Sequence, residues 1–338
     1  MGSRGALAAC FLTLGCVPRD GTVLVRDARL RMGTLLAVTA WGRDSIALER
    51  ALGQAFDSVR LLDSLLSTYQ ESSEISRINR GGAGTAWGVS RHFAAVLTEA
   101  LAVARASSGA FDPTLRDYRR VHFDGAARTV RLEPGLTLDF GGIAKGYALD
   151  RAALPLAAVA DSAFLDFGGQ LLIRRRTGGP VDRRTAEGRT VGIVDPTDRD
   201  RLIALIAVDS GSVSTSSQSE RPGHIVDPRT GKPATRAKSV TVVASTGIAA
   251  DAWSTAFFVL GCDSALALSG RVGLDVVCVD RMVRWTPGLD GRVVLATDSA
   301  GAAPAPAPAR ARGRAAAARP SRSRSTAPGS SPSGLPGS

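Results

Sequence analysis

The sequence predicts an α+β fold: one catalytic-sized body of mixed or antiparallel sheets flanked by helices. Two strong helical periodicities come early in the chain, and strand-like runs cluster after them. Hairpin-length gaps between many of those runs replace the regular strand–helix alternation of a parallel α/β protein. The 338 residues suffice for one large domain or two ordinary ones, and the patterned part runs from about residue 20 to 300.

In chain order, residues 1–16 (MGSRGALAACFLTLGC) read as a signal peptide of the lipoprotein type. Arg4 supplies the positive end, and Ala6 to Leu14 form an apolar run too short to span a bilayer. Thr13-Leu14-Gly15-Cys16 resembles a lipoprotein cleavage box, with Thr13 standing where an aliphatic residue is usual. The expected chain is exported, either membrane-anchored through a lipid on Cys16 or periplasmic. A plain apolar N-terminus is the simpler alternative.

VLVRDARLRMGTLLAVTAWG then reads as two strands around a turn at Met32-Gly33. From Asp44 to Ser67, Leu48, Leu52, Phe56, Val59, Leu62 and Leu66 recur at helical spacing. Ser90 is placed to cap a second helix with Phe93, Val96, Leu97 and Leu101 on one face, ending at Gly109. Strand-like runs follow: TVRLEPGLTLDF, AFLDFGG, QLLIRR, TVGIVD, RLIALIAVD, SVTVVAS, LDVVCVD and GRVVLAT. Helices interrupt them near Ala144 to Val159 and Ile248 to Leu260. LDFGG occurs at Leu138–Gly142 and again at Leu165–Gly169, which suggests two similar strand-to-loop corners.

The net charge of +11 invites a nucleic-acid reading, but six arginines lie in residues 301–338, a stretch without a single acid. That Ala/Pro/Arg/Ser-rich tail has too little apolar content to fold and reads as solvated and disordered, so no specific nucleic-acid partner is expected. No run of about 18 apolar residues is present to form an internal transmembrane helix. Cys10 and Cys16 belong to the signal; Cys262 and Cys278 remain. A buried thiol is the default for Cys278, and a disulfide would suit an exported chain; the spacing leaves both open.

Four stretches carry chemistry-bearing residues. DFGGIAKG, with Gly141, Gly142, Lys145 and Gly146, fits neither a Walker A loop nor a Rossmann fingerprint. Its glycines permit close backbone approach, the following helix start favours an anion, and Lys145 adds positive charge. A plain corner with a solvated lysine suits the same residues. In STGIAADAWSTAFFVLG, Ser245 or Thr246 can cap a helix on which Asp251, Ser254 and Thr255 share one face. A carboxylate with hydroxyls suits Mg²⁺, although an acid near a helix N-terminus is also stabilised by the dipole alone. HIVDPRTGKPA places His224 before a strong turn, behind the polar segment STSSQSER, which reads as an exposed or anion-contacting loop. In SSGAFDPTL, Gly109 ends a helix and Asp112-Pro113 fixes an extended turn.

Taken together and in order, seven segments resemble the ApbE family of FAD:protein FMN transferases. They are Met32-Gly33-Thr34, LSTYQESSEISRIN, SGAFDPT, DFGGIAKGYALD, LDFGG, HIVDPRTG and VTVVASTGIAADAWSTAFFVLG. The resemblance covers about residues 30 to 262. It implies FAD as substrate, with Met32, Tyr69, Ala110, Phe111, Asp112, Asp139, Lys145 and Val226 at flavin-contacting positions. It implies a Mg²⁺ site at the Gly142 carbonyl, Asp251 and Thr255, with Ser254 at a position that is acidic in some relatives. The implied reaction moves FMN from FAD onto a threonine hydroxyl of an acceptor protein, an exported or membrane redox subunit, and releases AMP. Lys145 and Asp251 act in that step, with His224 as general base or phosphate contact. The alternatives are a Mg²⁺-dependent FAD pyrophosphatase giving FMN and AMP, and a non-catalytic FAD-binding lipoprotein. One departure is visible: relatives commonly carry Thr-Ser-Gly-Asp-Tyr-Glu-Arg and a longer stretch before the histidine. Here Thr215-Ser216-Ser217-Gln218-Ser219-Glu220-Arg221 leads through Pro222-Gly223 straight to His224.

Overall fold

A computed structural model describes residues 21–176, 189–219 and 221–296. The expected signal peptide at 1–16 and tail at 301–338 lie outside the described residues.

Strands β1 (Val23–Arg31) and β2 (Thr34–Gly42) form the expected hairpin. Its two turn residues, Met32 and Gly33, both have positive φ (44° and 77°), the turn geometry that matches strand twist. Helix α1 (Ser45–Leu66) starts where Asp44 accepts the Ala47 N–H, and its six periodic apolar residues are all buried. A short helix that the periodicity does not reveal, α2 (Glu74–Arg80), precedes strand β3 (Ala86–Gly88). Helix α3 (Arg91–Ala106) is capped by Ser90, as its sequence suggests, and stops before Ser108 and Gly109, which turn the chain with positive φ. Strands β4 (Val121–Asp124) and β5 (Thr129–Leu132) complete a small sheet with β3.

Helix α4 (Ala144–Val159) leads into the hairpin of β6 (Ser162–Phe167) and β7 (Gln170–Arg175). Next come β8 (Arg189–Asp195), β9 (Asp198–Val208) and β10 (Gly211–Ser217). The tiny hairpin β11 (Val226–Asp227) and β12 (Lys232–Pro233) precedes β13 (Ser239–Ala244). Helices α5 (Gly247–Leu260) and α6 (Cys262–Ser269) are followed by β14 (Asp275–Val279), β15 (Val283–Trp285) and β16 (Val293–Leu295).

The main sheet runs β1-β2-β6-β7-β10-β13-β14-β15, and its ladders are antiparallel. Helices α1, α4 and α5 cover one face. The small sheet β16-β9-β8 packs on the other, where Ile193, Ile206 and Val208 meet Val213, Val243 and Val277. Covered on both sides, β13 has all six residues buried, including Ser239 and Thr241. This is the expected α+β body with antiparallel sheets.

Three local expectations are corrected. LTLDF is not a strand: its backbone is held by a side chain, because Asn79 donates to the Leu138 carbonyl (2.8 Å) and accepts the Leu138 N–H (2.7 Å). The two LDFGG corners therefore differ. The first feeds a helix from irregular chain, whereas the second is a hairpin turn with Gly168 and Gly169 at φ 64° and 87°. The first half of STSSQSER is not an exposed loop either: Ser214–Ser217 lie in β10, between β7 and β13 in the main sheet.

Candidate active site at the meeting of two helix starts

The corner before α4 is tightly built. The Asp139 carboxylate accepts the Gly141 N–H (2.6 Å), and the Asp139 N–H donates to the Pro113 carbonyl (2.7 Å). Asn79 fixes the preceding residue, so three segments far apart in sequence converge on Asp139. The backbone at Gly142 is closely approached, since a Cβ there would lie a tight 3.1 Å from Thr255 Oγ1 and 3.2 Å from the Phe111 ring. The glycine corner thus meets the polar face of α5 directly.

Contact is closer still one turn on. A Cβ on Gly146 would fall 2.0 Å from the Gly247 carbonyl oxygen, so α4 and α5 cross backbone to backbone. The Gly146 N–H donates to Asp251 Oδ2 (2.9 Å) across this crossing. Asp150, last residue of the same motif, accepts the Gly247 and Ile248 N–H groups (2.6 and 2.9 Å). Together with Thr246, which accepts the Ala249 N–H, it satisfies the start of α5. The expected cap at Ser245 or Thr246 is Thr246.

Asp251 is 5% exposed. Burial pushes its carboxyl above the usual range, opposed by the Lys145 charge and by the N–H groups of Gly146 and Lys145. A buried carboxylate with one cationic neighbour is a fitting anchor for a hard cation. One turn along α5, the Thr255 hydroxyl donates to the Asp251 backbone carbonyl (3.4 Å) and borders the Gly142 backbone, so the candidate donors are all oxygen, as suits Mg²⁺.

Ser254 is placed differently. Its hydroxyl donates to the Asp251 carbonyl (2.9 Å) and lies 2.9 Å from Ser216 Oγ and 3.2 Å from Ser214 Oγ. One proton and two lone pairs make three bonds, so these neighbours fill its capacity. Ser216 also lies 3.5 Å from Thr255 Oγ1. The serines of β10 thus brace the polar face of α5. No apolar alternation marks them in the sequence; only their hydroxyl content and position before His224 hint at the role.

The remaining candidates lie on other segments, of which the one carrying Phe111 reaches Gly142. Ala110, Phe111 and Asp112 are buried. The Asp112 carboxylate is engaged by Thr114 (N–H and hydroxyl, both 2.7 Å) and by the Tyr118 N–H (2.8 Å), so it shapes the turn that carries Phe111. Met32 and Tyr69 are each tied to the last turns of α1: the Met32 N–H donates to Asp63, and Tyr69 follows Ser67 with 85% of its surface open. Val226 is half-buried in the β11–β12 hairpin, whose Arg229 approaches Gly109. Gln218 ties that hairpin to the end of β10 by donating to the Ile225 and Ala234 carbonyls (2.9 and 3.1 Å). His224 is exposed on the intervening loop, its Nδ1–H donating to the Arg221 carbonyl, which leaves Nε2 as the acceptor nitrogen. Asn79, Asp150, Ser216 and Gln218 are site-forming residues that motif reading did not single out. Asn79 and Asp150 end motifs in the sequence, the one signal they offer.

A separate cleft lined by Arg236, Lys238, Asp280 and Arg284 contains none of these residues. The oxygen donors, not that cleft, define the chemistry.

Known proteins share the sequence pattern and the fold. The ApbE family model matches residues 32–121 and 114–278. A FAD:protein FMN transferase from Treponema pallidum is 32% identical over 344 residues, spanning 86% of this chain and 95% of that protein. One from Salmonella typhimurium is 28% identical, spanning 81% and 90%. The crystal structure of the ApbE protein from Thermotoga maritima superposes with a TM-score of 0.70 at 25% identity, covering 80% of this chain and 99% of that one. The flavin transferase ApbE from Vibrio cholerae has the same fold (TM-score 0.71, 20% identity, covering 80% and 99%). With the family model spanning the corner, the hairpin and α5 alike, this chain belongs to the ApbE family.

Proposed function

We propose that the chain is a Mg²⁺-dependent FAD:protein FMN transferase that moves FMN from FAD onto a threonine hydroxyl of an acceptor protein and releases AMP. The observation that carries this reading is the bond from Gly146 N–H to Asp251 Oδ2, which joins an anion-suited corner to a cation-suited carboxylate. The relatives named above supply the reaction class.

In this reading the FAD pyrophosphate lies along Gly141–Lys145, where the Lys145 ammonium offsets its charge. Met32, Tyr69, Ala110, Phe111, Asp139 and Val226 shape the flavin end, and Asp112 holds the turn beneath Phe111. Gly142, Asp251 and Thr255 hold the cation, with Ser254 braced behind them. Bound Mg²⁺ supplies charge neutralisation on the pyrophosphate oxygens. The acceptor threonine oxygen forms a bond to the FMN-side phosphorus while the bridging P–O bond breaks and AMP departs. His224 Nε2 takes the threonine proton. Water in place of threonine gives FAD hydrolysis at the same site, and the openness of Tyr69 and His224 leaves room for it.

The acceptor is an exported or membrane redox subunit. The chain itself acts outside the cytoplasm, held to the membrane through Cys16 or free in the periplasm. The Cys262–Cys278 disulfide supports that placement.

The test is incubation of the purified full chain with FAD and Mg²⁺, with and without a threonine-bearing acceptor protein. AMP together with flavin fixed on the acceptor is expected. AMP alone would support the hydrolase, and tight FAD with neither product the non-catalytic binding protein. Asp251→Ala should slow turnover by at least about 100-fold, the scale of losing one electrostatic group at a reacting centre. His224→Ala with full transfer and intact FAD binding would remove the base assignment.

A further inference from the structure

Charge is scarce where the cation belongs. Asp251 is the one carboxylate on the α5 face that meets Gly142, and its Oδ2 already accepts the Gly146 N–H. Lys145 faces the same carboxylate and offsets it. The neighbouring acids are engaged elsewhere: Asp150 on the start of α5, and Asp139 on the Gly141 N–H. Ser254 adds no charge, and its hydroxyl is filled by Ser214, Ser216 and the Asp251 carbonyl. Among the described residues, no group of three or more His, Cys, Asp or Glu side chains is arranged to hold a metal ion.

A dication entering this site alone therefore meets one carboxylate, one neighbouring ammonium and a few neutral oxygens. Mg²⁺ gives up its water reluctantly and favours phosphate oxygens as additional ligands. Lys145 has the opposite effect on a pyrophosphate, attracting it while repelling the cation.

From this we infer that the divalent cation and the dinucleotide bind as a coupled pair: each is held weakly alone, and the FAD pyrophosphate supplies the charge that the protein lacks. The inference rests on the proposed flavin-transferase reading and specifies how its site is loaded. Coupling of this kind is reciprocal, so FAD must tighten the cation by the factor by which the cation tightens FAD.

Mn²⁺ serves as probe, titrated into the full chain and followed by electron paramagnetic resonance. The titration is run without flavin, with saturating FAD, and with riboflavin, which has no phosphate. Protein-free FAD titrations are subtracted, and FAD is checked intact by chromatography. FAD should tighten Mn²⁺ by at least about tenfold, within the usual span of coupling between sites, and riboflavin should leave it unchanged. Fluorescence titration of FAD with and without Mn²⁺ should return the same factor. Lys145→Met should tighten Mn²⁺ in the absence of FAD while weakening FAD itself; weaker or unchanged Mn²⁺ binding would overturn the charge argument. Equal Mn²⁺ affinity with and without FAD, when FAD binding is seen by fluorescence, would overturn the coupling and leave the flavin reading standing. No FAD binding under either condition would overturn both.

Discussion

His92, on the first turn of α3, is 8% exposed, and both ring nitrogens are occupied. Arg91 Nε–H donates to Nε2 (3.3 Å), so Nδ1 carries the hydrogen and donates to the Tyr147 hydroxyl (2.9 Å). A second proton would have to sit on Nε2, against the Arg91 guanidinium. Burial first, then Arg91 and Arg151, hold the imidazole below its ordinary value of 6.5, with Glu74 opposing. The folded state therefore binds fewer protons than the unfolded one. The stabilisation is complete above the unfolded value and is lost as pH falls below it toward the folded value. Urea midpoints should accordingly drop from about pH 7 to about pH 5.5, and His92→Gln should flatten that drop. Asp150 and Asp166, raised by burial, act in the opposite sense, but both proteins carry them and the difference isolates His92. A drop of equal size in the variant would assign the acid sensitivity elsewhere. Tyr147 lies two residues beyond Lys145, so this buried pair also steadies the helix that begins at the candidate site.

At the level of elements, the crossing of α4 and α5 depends on two glycines facing one another. A Cβ on Gly146 would meet the Gly247 carbonyl at 2.0 Å and carbon at 2.5 Å, and a Cβ on Gly247 would meet the Gly146 carbonyl oxygen at 2.3 Å. The neighbour in each case is backbone, which cannot swing aside. Gly146→Ala should push the helices apart at a cost of about 1–3 kcal/mol or more, and break the bond to Asp251 with it. Gly53→Ala is the control: nothing lies within 4 Å of a Cβ there, in the middle of α1. It should be neutral or stabilise by up to about 1 kcal/mol. Thermal unfolding of both variants checks the pair, and a harmless Gly146→Ala would show that the crossing tolerates separation. Elements were legible in the sequence where one face is apolar. The six periodic positions of α1 and the cap at Ser90 predict their helices because burial imposes the spacing. β10 was not legible, because Ser212, Ser214 and Ser216 are buried as hydroxyls braced by other segments rather than as hydrophobes. LTLDF has a strand's alternation, yet its backbone partner is the Asn79 side chain. The Asp251, Ser254 and Thr255 face follows from helical spacing, whereas its meeting with the glycine corner joins segments 105 residues apart at Gly146 and Asp251 and was suggested by the family resemblance alone.

Across the whole molecule, one covalent link lies outside the site. Cys262 opens α6 and Cys278 lies in β14, both buried, and they form a disulfide that spacing had left undecided. The bond ties α6 to the far end of the main sheet, with β13 and β15 on either side of β14. Asp251 sits near the start of α5 and Cys262 just past its end, which separates them by about 15 Å of helix. Stability and site should therefore respond separately. Closing a loop with a sequence separation of 16 restricts the unfolded chain, and its loss is expected to cost about 3 kcal/mol. In a domain of this size that is a fall in Tm of about 6–12 °C. Paired Cys262→Ala and Cys278→Ala substitutions avoid burying polar replacements and should show this fall with FAD binding retained. An unchanged Tm would mean that packing of α6 on β14 already holds the region without the link. The same two cysteines report on the compartment, since such bonds persist in oxidising surroundings and are reduced in the cytosol. Maleimide labelling of protein from cells quenched in acid, which halts thiol exchange and leaves free thiols unblocked, should find Cys262 and Cys278 unreactive until a reductant is added. Full labelling of both without reductant would place the chain in the cytosol.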